Sequence, residues 1–233
     1  MAGIMQTTHA MTSYFYLARE NENLALENAR LNQLVQQKAD LLAKYTLDTM
    51  HYGDDNTRFK FKVARVINNS VSNVNNYLTL NKGLKDGIRP GMGIISPQGI
   101  VGKVIVSSNN FSTGVSLLHT KMLISGKINR INAYGTVIWE GNNPKTISMK
   151  YVARHLEPII GDTVITSEYS TLVPEGIMIG IVKNIELKPD ETFYRIDVEL
   201  STDFSALSYV YVIENRLSHE KDSLETVTKQ EIK

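Results

Sequence analysis

The chain has 233 residues, of which 42% are hydrophobic and 21% charged, with a formal net charge of +1. That near neutrality supplies no general field to draw in nucleic acid or an anionic lipid surface. The absence of cysteine excludes thiol catalysis, thiolate metal sites and disulfides.

No apolar run is long enough to cross a membrane as a helix. Met1 to Met11 lacks the basic start and apolar core of a signal peptide. The opening reads as trimmed, with a native anchor expected upstream.

The first element is a helix over 12–46, in a stalk assigned to 12–48. Thr12 or Ser13 can cap it, and Glu20, Glu22 and Glu27 load its N-terminal half, where the helix dipole favours negative charge. At about 1.5 Å per residue it reaches on the order of 50 Å. Its seam is Tyr14, Leu17, Asn21, Leu24, Asn28, Leu31, Val35 and Leu42, stepping by fours and threes. The leucines at 17, 24 and 31 occupy heptad position d, and Asn21 and Asn28 occupy a. Leu at d with a buried Asn at a favours two parallel strands, so the seam predicts a homodimeric coiled coil. Lys38, at d, is a defect in it, while Leu34 and Leu41 widen the stripe at g. The alternative is an amphipathic helix folded back on its own body.

A polar break over 49–57, with Gly53, Asp54, Asp55 and Asn56, reads as a hinge. Arg58 to Val63 then alternates with period two, which predicts a half-buried strand with basic side chains on one face. That face is either a docking edge or a solvated guard against edge pairing. Asn68 to Asn76 reads as a loop. Further strands are expected at Tyr77–Asn81, Gly93–Ser96, Ile100–Val106, Thr113–Leu117, Leu123–Asn129, Ala133–Glu140 and Ile147–Val152. After Pro158 come Thr163–Ser167, Ile177–Ile185, Phe193–Leu200 and Tyr209–Ile213. Short strands between Gly and Pro turns, with no intervening amphipathic helix, point to barrels or sandwiches.

The expected fold is therefore mainly β with a long N-terminal α-helix: a coiled-coil stalk plus two small β-barrel domains. Strand supply suggests one barrel over 76–152, inserted into a discontinuous one formed by 58–75 and 153–214; a tandem order is the alternative. Residues 215–233 read as a flexible tail. An internal echo links the halves. Gly91 to Ser96 followed by Gly99 to Val104 resembles Gly161 to Thr166 followed by Gly176 to Val182, each with a glycine inside the second strand. Such a glycine marks a bulge or a sharp bend.

Chemistry is sparse. The histidines at 9, 51, 119, 155 and 219 form no zinc-binding spacing, and no dinucleotide or phosphate loop occurs. Ser167 with His119 or His155 and Asp162 is a nominal triad of the kind any chain of this length offers. Asp162, after Gly161, reads instead as a turn residue bonding its own backbone. His155 is expected on a loop near Arg154 and Glu157, and Trp139 in a core or over a barrel end. No metal, cofactor, nucleic acid or small-molecule substrate is implied.

The order of stalk, then Asn81 to Met92, Gly99 to Val104, Gly161 to Ser167 and Pro174 to Gly180 resembles the rod shape-determining protein MreC family, from about Tyr14 to Ile213. One departure is Glu168, where the family usually has Gly. The resemblance implies a periplasmic body of two β-barrels, tethered to the inner membrane by an N-terminal anchor missing from this chain. It implies a scaffold of the cell-elongation machinery and no catalysis. It also implies dimerisation through the stalk, further self-assembly through the body, and contacts with penicillin-binding protein 2 and membrane partners such as MreD.

Two other classes compete. A periplasmic adaptor of an efflux or secretion complex joins helices to small β domains, but carries a helical hairpin flanked by both halves of its β domain. A barrel-based serine hydrolase requires a base within hydrogen-bond reach of Ser167.

Overall fold

A computed structural model describes residues 17, 19–35, 37–38, 59–217, 220, 223–224 and 227–228. The hinge over 49–57 and the ends of the expected helix lie outside these. Each described position from 17 to 38 is helical. Residues 1–55 and 56–233 form two compact units.

In the second unit the strands are β1 (Phe59–Asn69), β2 (Asn75–Leu80), β3 (Gly93–Ser96), β4 (Gly99–Ser107), β5 (Ser112–His119) and β6 (Leu123–Ile128), followed by β7 (Ala133–Ile138), β8 (Thr146–Ala153), β9 (Thr163–Thr166), β10 (Met178–Glu186), β11 (Phe193–Leu200) and β12 (Tyr209–Asn215). Between 59 and 217 the only helical turns are three-residue 3-10 turns at Leu84–Asp86 and Phe204–Ala206. The helical hairpin of an adaptor is not found there.

Two closed six-stranded barrels result. The first runs β1-β12-β3-β4-β5-β2 and the second β10-β11-β8-β7-β6-β9. One barrel is inserted in the other, but not with the expected boundaries. The inserted barrel is built from β6 to β11, residues 123–200, and the discontinuous one from 59–119 completed by β12. Residues 76–152 do not close on themselves. The physical reason is pairing at long range: β12 bonds β1 from Phe59↔Asn215 to Arg65↔Tyr209 and bonds β3 on its other side. β2 bonds β1 and β5, so it belongs to the first barrel. The predicted loop over 68–76 is shorter than expected, because β1 continues to Asn69 and β2 begins at Asn75. The tail likewise begins later: β12 extends through Asn215, and positions 220, 223, 224, 227 and 228 are helical.

Alternation along the strands turns apolar side chains into each lumen. Leu78, Leu80, Ile94, Val104, Leu117 and Val212 are buried in the first barrel, and Ile128, Val137, Ile147, Met149, Val164 and Val198 in the second. Full burial of each such side chain stabilises by roughly 1.5–3 kcal/mol. Closure also pairs every strand on both sides, which removes the raw edges that invite aggregation.

The sequence echo is a structural repeat. Gly91 N–H donates to Val104 O at 2.9 Å and Val104 N–H to Met92 O at 2.8 Å; Gly161 N–H donates to Val182 O and Val182 N–H to Asp162 O at the same distances. In both barrels the register slips just before the mid-strand glycine, at Val101 opposite β3 and at Ile179 opposite β9. A Cβ on Gly102 or Gly180 would lie under 3.0 Å from the carbonyl oxygen of Val115 or Glu199, respectively. Only glycine permits the neighbouring strand so near, and the bulge beside it bends the strand around the barrel. The two copies differ in their connection. Residues 97–98 join β3 to β4, whereas 167–177 join β9 to β10.

Candidate interaction surfaces

The described residues of the heptad seam are exposed. Leu17, Leu24, Leu31 and Val35 are 58%, 54%, 48% and 62% exposed, and Asn21 and Asn28 are exposed as well. Tyr14 and Leu42 lie outside the described residues. Within the helix the buried positions are Ala25 and Ala29, at heptad positions e and b. The described leucines of the stripe are thus exposed, and Leu34 at g is exposed too.

In the second unit, the long connection 167–177 forms a strap. It is fastened to the outside of the second barrel at several points. Ser167 Oγ donates to Ser125 Oγ at 2.7 Å. Thr166 Oγ1 donates to Pro174 O at 2.7 Å and accepts from Ile177 N–H at 3.0 Å. Lys127 of β6, only 8% exposed, pairs with Glu175 and, at 3.6 Å, with Glu168. Tyr134 of β7 donates its hydroxyl to Glu168 Oε1 at 2.5 Å and stacks edge-on against Tyr169, with ring centroids 5.2 Å apart.

The electrostatics follow from these contacts. The hydrogen bond to Glu175 raises the Lys127 ammonium above its ordinary value against the opposing effect of burial. The Tyr134 hydroxyl holds Glu168 below the usual carboxylate range. A buried ammonium needs such partners, because leaving one unpaired in a dry setting is expensive. Sequence reading missed this cluster. Its one visible signal was Lys127, a charge within the apolar run Leu123 to Ile128.

From that fastening the strap reaches the first barrel. Asn215 Nδ2 donates to Thr171 O at 3.0 Å. Leu172 O and the Val173 side chain occupy the space where a Cβ on Gly93 would stand, and Val173 is fully buried. A second junction lies beside it. Ser96 Oγ and Thr202 Oγ1 are 3.2 Å apart, and Ser201 N–H donates to Ile179 O at 3.1 Å.

The basic face of β1 is not a free docking edge at Lys62. That ammonium pairs with Glu214 at 3.0 Å and donates to Gly87 O at 2.6 Å. Asp162 is a turn residue, as read from sequence: its carboxylate accepts from Ile159 N–H at 2.9 Å. Arg130 clamps it through Nε at 2.6 Å and Nη2 at 2.9 Å, and that clamp holds the carboxyl below its ordinary value. Trp139 is buried, with Nε1 donating to Asn143 O at 2.8 Å.

The nominal triad is not assembled. Ser167 spends its hydroxyl on Ser125, and Asp162 on Arg130. His119 belongs to the first barrel, where Nε2 lies 3.2 Å from the Tyr77 hydroxyl and Nδ1 accepts from Lys121 N–H at 3.0 Å. His155 follows β8 in a turn. What the arrangement offers is rigid surface: two barrels, a strap joining them, and exposed aromatic edges such as Tyr169 and the Tyr151–Phe193 pair.

Comparison with known proteins gives consistent matches. A family model described as "Rod shape-determining protein MreC, barrel core" matches residues 66–214. The cell shape-determining protein MreC of Listeria monocytogenes is 26% identical over 215 residues, covering 91% of this chain and 71% of that protein. The solved structure of MreC from the same organism superposes with a TM-score of 0.66 at 25% identity, covering 86% of this chain and 94% of the other. MreC from Helicobacter pylori, solved in a complex with penicillin-binding protein 2, shares the fold, with a TM-score of 0.54 at 16% identity over 68% of this chain and 99% of that one.

Proposed function

The chain belongs to the rod shape-determining protein MreC family, and from that premise we propose that it is a non-enzymatic scaffold of the bacterial cell-elongation machinery. In this reading it maintains rod shape by dimerising through its stalk and positioning peptidoglycan-synthesis enzymes. The observation that carries the reading is the combination of an exposed leucine stripe with a double barrel whose polar side chains are used in fastening. The stripe supplies a reason to pair. The barrels supply two copies of one surface, and two copies raise the effective concentration of the second contact, so that weak sites act together.

Penicillin-binding protein 2 is the proposed enzyme partner, because the Helicobacter pylori relative was solved in complex with that protein. MreD and further self-assembly through the barrels complete the proposed set of contacts. The proposed location is the periplasm, with a tether in the inner membrane. No helix among the described residues is long and apolar enough to cross a membrane, so this reading places the tether outside the described helices.

The test is depletion in the parent bacterium combined with capture of the tagged protein from membranes. Loss of rod shape on depletion and co-purification of penicillin-binding protein 2 are expected. Cells that stay rod-shaped, with no transpeptidase captured, overturn the reading.

A further inference from the structure

Where the strap meets the first barrel it leaves a cavity of about 220 Å³. Its walls come from the first barrel and the strap: Arg89, Lys103, Ile213 and Glu214 from the barrel, Leu172 from the strap, and Arg216 just beyond β12. Gly91 at its lining has φ +95, and the space beside its α-carbon is open. The charge balance in this wall is uneven. Glu214, the acidic member, is already held by Lys62 at 3.0 Å. Neither Arg89 nor Lys103 has a carboxylate partner among the described residues. Leu172, half-buried, adds apolar surface to the same wall.

We infer that this cleft is a docking site for an acidic segment of a partner polypeptide, one carboxylate side chain flanked by apolar residues. Three features favour that occupant. Arg89, exposed, and Lys103, half-buried, stand at a concave site without a carboxylate partner among the described residues and so attract a carboxylate. The apolar part of the lining suits a side chain better than a bare inorganic anion. The volume lies below the roughly 300–1,000 Å³ that encloses a drug-sized molecule, so it suits one or two side chains of a longer segment. Because the strap forms one wall, an occupied cleft ties the two barrels together. The inference rests on the scaffold reading only for the partner's biological identity; the site itself stands on its own lining.

The experiment uses the full chain and a fluorescein-labelled Leu-Glu-Glu-Leu peptide amide, read by anisotropy, with Leu-Gln-Gln-Leu as the neutral counterpart. The acidic peptide should bind, weaken as salt rises, and bind about tenfold more tightly than the neutral one, as expected from two partly exposed charge contacts. The double variant Arg89→Gln with Lys103→Gln should lose about the same factor, while Lys183→Gln, an exposed lysine outside the cleft, should not. Far-ultraviolet circular dichroism confirms that the variants are folded. Equal binding of the two peptides, no binding of either, or an unchanged double variant overturns the proposal. Displacement of the peptide by an equal concentration of inorganic phosphate also overturns it, in favour of a small-anion site. None of these outcomes touches stalk pairing or capture of the transpeptidase, so failure here is distinguishable from failure of the scaffold reading.

Discussion

Gly99 of β4 lies against the main-chain carbonyl of Met178 in β10, so near that a methyl group at 99 would overlap it and also stand 2.7 Å from Ser201 Oγ. The two barrels are in close contact here. Main-chain atoms sit on the opposing side, so the clash has no flexible side chain to absorb it.

Gly99→Ala should therefore destabilise by about 1–3 kcal/mol, the usual range for overpacking a tight contact. It should also loosen the coupling between barrels. Trp139, the sole tryptophan, is buried in the second barrel, so its fluorescence follows that barrel, whereas circular dichroism follows both. Urea unfolding monitored both ways should coincide in the parent chain and separate in the variant. Coincident, unshifted transitions in the variant would remove the junction from the account.

The strap gives an asymmetric prediction. Glu168 and Glu175 are half exposed, at 40% and 48%, while the Lys127 side chain is 10% exposed. Removing the lysine releases two carboxylates that water can solvate. Removing both carboxylates strands a nearly buried ammonium. The double variant Glu168→Gln with Glu175→Gln should therefore lower the denaturant midpoint, and Lys127→Met distinctly less, since its stem is kept and no buried charge remains. Denaturant midpoints compare the two directly.

Asp162 should make stability fall in acid. Its folded-state value lies below the ordinary 3.8, through Arg130 first and the Ile159 amide as well. The stabilisation is complete above the unfolded-state value and drains away as pH falls from about 3.8 through the lower folded-state value. Asp162→Ala should cost about 2 kcal/mol near neutrality, the range for hydrogen bonds to a charged group. It should also flatten the stability profile below pH 4, and thermal melts across that range check both effects.

The stalk prediction concerns assembly. Leu24→Asp with Leu31→Asp places charge at two d positions, so any two-stranded coil built on that seam should dissociate. The barrels should keep their circular dichroism and Trp139 emission. Sedimentation of the variant as a monomer is the expected result; a persistent dimer would move the interface elsewhere.

Local patterning made most of the strands legible. Gly93–Ser96 and Phe193–Leu200 match alternation and flanking turns to the residue, nine further strands lie within two positions of their expected ends, and β1 runs six residues beyond the expected Val63. Barrel membership was not legible, because a strand's own residues say which face it buries and not which distant strand it will pair. β12 reads like any other short apolar run, yet it supplies the missing stave beside β1. The repeat was legible through its glycines, since their spacing is fixed by backbone approach. The strap was not, because Glu168 departs from the family's Gly without any positive φ at that position. Its role comes from Tyr134 and Lys127, more than thirty residues upstream.

The nested chain path has a consequence for the order in which the molecule can be completed. The inner cylinder is uninterrupted in sequence, so all of its staves are present once residue 200 has emerged from the ribosome. The outer cylinder, begun first, must wait with β1 and β3 unsatisfied along one side until Tyr209–Asn215 arrives. The exposed gap persists longest in the half that started earliest, and the last few residues of the body are the ones that seal it.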